Sequence, residues 1–163
     1  MKIEEANALE RDSFVQALGW IFEDSPWVAE RAWPHRPFDS VAALHEAMTN
    51  AVRNAALGEQ LALLRAHPDL GAGARMSAAS VGEQAGAGLD RLSPEELERL
   101  RSLNMAYRGK FGFPFLFAVK GSTLRDILNA LAVRYERTPE EEFQEALEQV
   151  YRIARFRLEE AIK

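Results

Sequence analysis

Wherever the apolar residues of this chain can be read for a repeat, they recur about every 3.6 positions: Phe14, Ala17, Leu18 and Ile21 lie at i, i+3, i+4 and i+7. Such spacing gathers apolar side chains on one stripe of a helix, whereas a half-buried strand needs strict alternation. The pattern returns in Leu97, Leu100 and Tyr107, in Leu124, Ile127, Leu128 and Leu131, and in Phe143, Ala146, Leu147, Val150, Ala154 and Leu158. Two helix starts are punctuated alike. Ser93-Pro94-Glu95-Glu96 and Thr138-Pro139-Glu140-Glu141 each offer a hydroxyl cap, a proline at the first helical position and a glutamate three residues after the cap. Ser25-Pro26 reads as another start, and a helix through Val41, Leu44, Met48 and Val52 follows the turn around Pro34 and Pro37. Only Phe113 to Val119 looks extended, and Gly112, Pro114 and Gly121 make it an irregular buried segment rather than a paired strand. The prediction is all-α: a single domain over residues 1–163, seven or eight helices in a bundle-like arrangement, with an irregular buried segment near 112–121.

A chain of 163 residues is long enough to bury one core without covalent staples. The absence of cysteine removes disulfide frameworks, zinc ribbons, iron–sulfur clusters and thiol nucleophiles. No apolar stretch approaches the ~20 residues of a membrane helix. Neither the Met1-Lys2-Ile3-Glu4-Glu5 start nor the Ala161-Ile162-Lys163 end carries a targeting signal, so a cytoplasmic location is expected. A net charge of −5 without a Lys/Arg block argues against nucleic acid and for a small-molecule or protein partner.

Three histidines, His35, His45 and His67, are the only side chains whose ordinary pKa lies near neutrality. His35 sits in the turn Trp33-Pro34-His35-Arg36-Pro37 and reads as a surface residue. His45, beside Leu44 and Met48, reads as a boundary residue; a metal site would need His35 or His45 to converge on Glu46, and the HExxH spacing is missing. His67 precedes Pro68 after the apolar run Leu61, Leu63, Leu64, so the helix stops there. Its imidazole is then either a cap or an active-site group facing whatever the next segment covers. That segment, Gly71 to Gly88, holds five glycines, and Gly82, Gly86 and Gly88 stand too close together for a clear helix. It reads as a long loop, and loops of that length in a small domain are usually functional. Within it Glu83-Gln84 is either a solvated helix start or an acid–amide pair that orients a polar ligand, and Ser80 could cap a helix with Glu83 closing a capping box. Arg157, one residue before core position Leu158, is either a snorkelling surface arginine or a carboxylate clamp.

Three separated motifs point further: His67-Pro68-Asp69-Leu70, then Ser80-x-x-Glu83-Gln84-x-x-Ala87-Gly88-Leu89-Asp90, then Asn104-x-x-Tyr107-x-x-Lys110-Phe111-Gly112-Phe113-Pro114-Phe115. With Arg36-Pro37-Phe38 and Ile153-Ala154-x-x-Arg157-Leu158, they make nearly the whole chain resemble the 2-oxo-4-hydroxy-4-carboxy-5-ureidoimidazoline (OHCU) decarboxylases of urate degradation. The resemblance implies an all-helical, cofactor-free, dimeric enzyme that holds no metal. It turns a small anionic substrate, OHCU, into (S)-allantoin with loss of CO₂, next to urate oxidase and 5-hydroxyisourate hydrolase in the pathway. By position, it implies that His67 is the catalytic histidine, with Pro68 beside it at the substrate. Ser80, Glu83 and Gln84 correspond to the substrate-contacting trio, and Arg157 to the arginine that reaches the pocket from the last helix. Phe113 to Val119 corresponds to a pocket wall whose amides at Phe117, Ala118 and Val119 meet the substrate. His67 oriented by Glu83 would then be the general acid–base. Two departures, Arg134-Tyr135-Glu136-Arg137 where many members read Arg-Leu-x-Asn and the wall sequence Leu116-Phe117-Ala118, fall outside the catalytic set. The wall substitutions at Phe117 and Ala118 leave one rival, an enzyme acting on another ureido or imidazoline acid, and composition and periodicity leave another, a non-catalytic helical module on the same scaffold.

Overall fold

Hydroxyl caps and one glycine set most helix boundaries in the second half of the chain. Ser93 Oγ accepts from the Glu96 N–H at 3.1 Å while Glu96 accepts from the Ser93 N–H at 2.9 Å, so two otherwise unpaired donors are satisfied. Thr138 and Glu141 repeat the exchange at 3.2 and 3.0 Å, as the sequence predicts. The computed structural model describes residues 1–71 and 77–163. Among these residues the chain forms nine α-helices, two single-turn 3-10 helices and no strand. The count exceeds the seven or eight read from periodicity. One short helix, α1 (Ile3–Asn7), spans too few residues to show a period, and another lies in the stretch whose glycines hide it. No helix among the described residues is long and apolar enough to cross a membrane.

By contacts the chain divides into two units, residues 1–66 with 151–163, and residues 67–150. In the first, α2 (Arg11–Leu18), α3 (Trp27–Ala32) and α4 (Val41–Arg53) pack in sequence, and α5 (Leu57–Arg65) follows. Phe14, Leu18, Leu44, Met48 and Val52 are buried here, on the faces that the 3.6 period assigns, while Ile21, also buried, lies past the end of α2 in the 3-10 helix Gly19–Ile21. α3 begins at Trp27 rather than at a Ser25 cap, because the Ser25 hydroxyl donates to the Glu23 carbonyl instead. The Arg36-Pro37-Phe38 run is tied to the N-terminus: Asn7 bonds both backbone groups of Phe38, at 2.9 and 2.8 Å, and Arg36 donates to the Asn7 and Leu9 carbonyls at 3.1 Å.

The second unit holds α6 (Ala78–Gly86), α7 (Pro94–Phe111), α8 (Leu124–Tyr135) and the first half of α9 (Pro139–Ala161). α7 stops at Gly112, whose φ of 82° is left-handed and whose N–H closes on the Arg108 carbonyl at 2.8 Å. Glycine adopts that conformation without a Cβ penalty, and Pro114 two residues on prevents the helix from resuming. Residues 113–119 are irregular, with Phe113, Phe115, Leu116 and Val119 buried, which matches the sequence expectation for this segment. Tyr107 meets Phe111, Phe113 and Phe115 at ring-centroid distances of 4.5, 6.1 and 5.3 Å, so an aromatic cluster anchors the start of the segment.

Candidate active site

Pro68 disfavours the helical conformation for the residue before it, and α5 accordingly ends at Arg65 with Ala66 as its cap. His67 leaves the helix buried, 5% exposed, and Pro68 beside it is half-buried. Side chains from α6 and α7 meet the backbone of the described part of the loop that follows. Gln84 Oε1 accepts from the Gly71 N–H at 2.8 Å and its Nε2 donates to the Asp69 carbonyl at 3.4 Å. Asn104 Nδ2 donates to the Leu70 carbonyl at 2.9 Å, and Arg108 pairs with Asp69 at 3.0 Å. Gly71 has φ 76°, and a Cβ there would lie 2.9 Å from the Leu100 side chain, so this turn demands glycine.

Gln84 belongs to α6, where the sequence suggested a loop. Residues 72–76 of that loop lie outside the described residues, but residues 78–86 are helical despite Gly82 and Gly86. The suggested Ser80–Glu83 capping box is also replaced. Ser77 is the cap, its Oγ accepting from the Ser80 N–H at 3.2 Å, and Ser80 lies one turn inside the helix. This register puts Ser80, Glu83 and Gln84 at i, i+3 and i+4, on one helix face. Ser80 and Gln84 are buried and Glu83 is half-buried, so the trio is not a solvated start. Through Gln84 the same face grips the loop that carries His67.

The irregular segment is held from two sides. Arg134 Nη1 donates to the Leu116 carbonyl at 2.6 Å, and the Ala118 N–H donates to Gln149 Oε1 at 2.9 Å. Gln149 in turn donates to Glu145 at 3.0 Å. Arg134 Nε pairs with Glu142 Oε1 at 2.8 Å, the same oxygen accepts from the Tyr107 hydroxyl, and Arg137 reaches Glu142 Oε2 at 3.3 Å. Glu142 is wholly buried, and Arg134 Nη2 has no hydrogen-bond partner. Burial, and then the hydrogen bond to Glu142, push the Tyr107 phenol well above its usual pKa. Phe117 and Ala118 are half-buried and Val119 is buried.

Arg157 belongs to the first unit and is 4% exposed, so the snorkelling reading is wrong. Its Nη2 meets Glu23 Oε2 at 2.8 Å and its Nη1 lies 3.3 Å from the Trp20 and Ile21 carbonyls. Glu23, itself buried, was invisible in sequence because Phe22-Glu23-Asp24-Ser25 looks like a polar turn. His35 is exposed, and His45 is half-buried with Nε2 2.7 Å from the Tyr151 carbonyl. Among the described residues no three His, Asp or Glu side chains gather as metal ligands. Sequence reasoning also missed Arg134, Glu142 and Gln149. A usable signal existed for the last two: Glu142, Ala146 and Gln149 follow one another at +4 and +3, which lays both polar residues along a face of α9 that also carries core alanine.

Among the described residues the frame is helical without strands, with a buried histidine at a helix exit and an acid–amide pair on the helix that clamps its loop, which defines the class as an all-α protein. The OHCU decarboxylase family model matches residues 7–159. The 2-oxo-4-hydroxy-4-carboxy-5-ureidoimidazoline decarboxylase of Halalkalicoccus jeotgali is 47% identical over 160 residues, 98% of this chain and 91% of that protein. The uric acid degradation bifunctional protein of Bacillus subtilis is 46% identical over 98% of this chain, which covers 32% of it. The crystal structure of (S)-allantoin synthase superimposes with a TM-score of 0.82 at 35% identity, over 99% of this chain and 54% of that one. The chain belongs to the OHCU decarboxylase family.

Proposed function

We propose that this carboxy-lyase converts OHCU to (S)-allantoin and CO₂ in urate degradation, with His67 as acid–base and Glu83 orienting it. The observation that carries the residue assignment is the Gln84 clamp, which ties the loop bearing His67 to the helix face bearing Ser80 and Glu83. In the substrate one ring carbon bears hydroxyl and carboxylate, and its neighbour, bearing the ureido group, is double-bonded to nitrogen. When the carboxylate bond breaks, CO₂ leaves and the bond's electron pair joins the two carbons while the C=N pair moves onto nitrogen. A proton from solvent neutralises that nitrogen. The ring carbon bearing the ureido group then takes a proton on one face as the hydroxyl gives up its own, and allantoin results. The substrate is thus its own electron sink, and the protein has to hold it, supply donors where charge builds, and move one proton.

His67 takes the hydroxyl proton and returns a proton to the ring carbon bearing the ureido group, a role worth roughly 10²–10⁴ in rate. Ser80, Pro68 and the 117–119 wall fix the ring and ureido groups, and Gln84 acts through the loop it holds. Arg157 balances the substrate's negative charge. The homodimer, the cytoplasmic location and the neighbouring urate oxidase and 5-hydroxyisourate hydrolase implied by the resemblance go with this reading.

Because OHCU also decays spontaneously to racemic allantoin, the decisive readout is handedness. OHCU generated in situ from urate by the two upstream enzymes should yield (S)-allantoin, followed by circular dichroism, only when this protein is present. His67→Asn, with its fold checked by far-ultraviolet circular dichroism, should lose roughly 10²-fold or more in rate. Racemic product with the parent protein would overturn the activity, and a variant within about threefold of the parent would remove His67 from the chemistry.

A further inference from the structure

The Ala118 N–H, one of the wall amides placed at the substrate, is already engaged: it donates to Gln149 Oε1 at 2.9 Å. Gln149 is 4% exposed and its amide nitrogen donates to Glu145 at 3.0 Å, so both ends of the side chain are committed. That fixes its orientation, since reversing the amide would aim a donor at the Ala118 N–H. The irregular segment has no ladder to set its peptide planes. Besides the cap of α7 and the Ser122 N–H on the Val119 carbonyl at 2.9 Å, its backbone orientation is set by Arg134 on the Leu116 carbonyl and by Gln149 on the Ala118 amide. Two residues apart in the segment, these contacts fix the peptide groups on both sides of Phe117.

We infer that Gln149 is a positioning residue of the decarboxylase: by taking the Ala118 N–H it holds the wall so that the Phe117 and Val119 amides are presented to substrate, and Glu145 holds Gln149. The inference rests on the proposed reaction and adds to it a residue outside the matched motifs. Gln149 spends the Ala118 N–H on the scaffold, so the neighbouring amides of the wall serve the ligand. Substrate binding then depends on a side chain that does not touch substrate. Removing the acceptor releases the Ala118 amide, and the wall loses its preset orientation.

The test is a bond-swapping series in the full chain. Gln149→Leu removes the acceptor and should raise KM about fivefold or more, whereas mere loss of folded protein would lower apparent kcat at unchanged KM. Gln149→Glu keeps an acceptor for Ala118 but sets a carboxylate against Glu145, and should also raise KM. The exchange Glu145→Gln with Gln149→Glu restores acceptor, donor and net charge with the partners reversed, and should return KM to within about twofold of the parent. KM within about twofold of the parent in Gln149→Leu, or no recovery in the exchange, overturns the assignment; should Gln149→Leu fail to fold, the last two variants decide it. A parent protein that yields racemic allantoin would instead overturn the reaction itself, and the two failures are distinguishable because the parent is assayed first.

Discussion

Removing Glu142 alone should damage this protein more than removing Glu142 and Arg134 together. The carboxylate is wholly buried and the Arg134 side chain is 6% exposed, with 2.8 Å between them. Glu142→Leu leaves the guanidinium buried without a counter-charge, which costs about 3–5 kcal/mol. For a domain of this size each kcal/mol lowers Tm by about 2–4 °C, so a drop of roughly 6–20 °C is expected. The Arg137 contact adds little to that figure, because Arg137 is 36% exposed and solvent screens it. Adding Arg134→Met removes the stranded charge but also the bond to the Leu116 carbonyl, at about 1–3 kcal/mol for an acceptor left without a partner. The lost partner of the Tyr107 hydroxyl is common to both variants and cancels between them. The double variant should therefore regain about 2 kcal/mol over Glu142→Leu, the gap between the mid-values of those two costs, in urea or thermal unfolding. Its decarboxylase activity should stay low, since the wall is no longer held at Leu116. A double variant no more stable than the single one would refute the stranded-charge argument.

Two further outcomes follow from buried groups. The raised pKa of Tyr107 means that folded and unfolded chains both hold the phenolic proton below about pH 10, so the group adds no pH dependence there. Above that pH the unfolded chain loses the proton first, and stability falls as pH rises; Tyr107→Phe should reduce this alkaline slope in urea midpoints measured along a pH series, and an unchanged slope would contradict the assignment. Arg157→Ala should raise KM, and it also leaves Glu23 buried without its cation at a cost of about 3–5 kcal/mol. Glu23→Gln added to Arg157→Ala should recover stability but not KM, and a recovered KM would show that Arg157 acts only on the fold.

The helix framework was legible because its determinants are local. A cap and its glutamate sit three residues apart, and an apolar stripe declares itself within two turns, so α7 and α9 could be placed from residues 93–96 and 138–141 alone. Where two hydroxyls compete at the same spacing, as Ser77 and Ser80 do, local rules do not choose, and the cap falls to Ser77. The identities of His67, Glu83 and Gln84 could be carried over from motifs, but what Gln84 holds could not. Its partners, Asp69 and Gly71, lie 15 and 13 residues away, and only the fold brings them opposite. Distance explains Glu142 too, since the Tyr107 hydroxyl it accepts from lies 35 residues earlier. Yet the need for such residues was legible even if the pairing was not. An irregular segment buried through Phe113, Phe115, Leu116 and Val119 must have its amides and carbonyls met by something other than a ladder. Polar side chains at helical spacing beside core positions, Glu142 and Gln149 on α9, are then candidates for that task. In a chain read as all-helical with one buried irregular stretch, a polar residue on an apolar helix face is better treated as the partner of that stretch than as an error in the pattern.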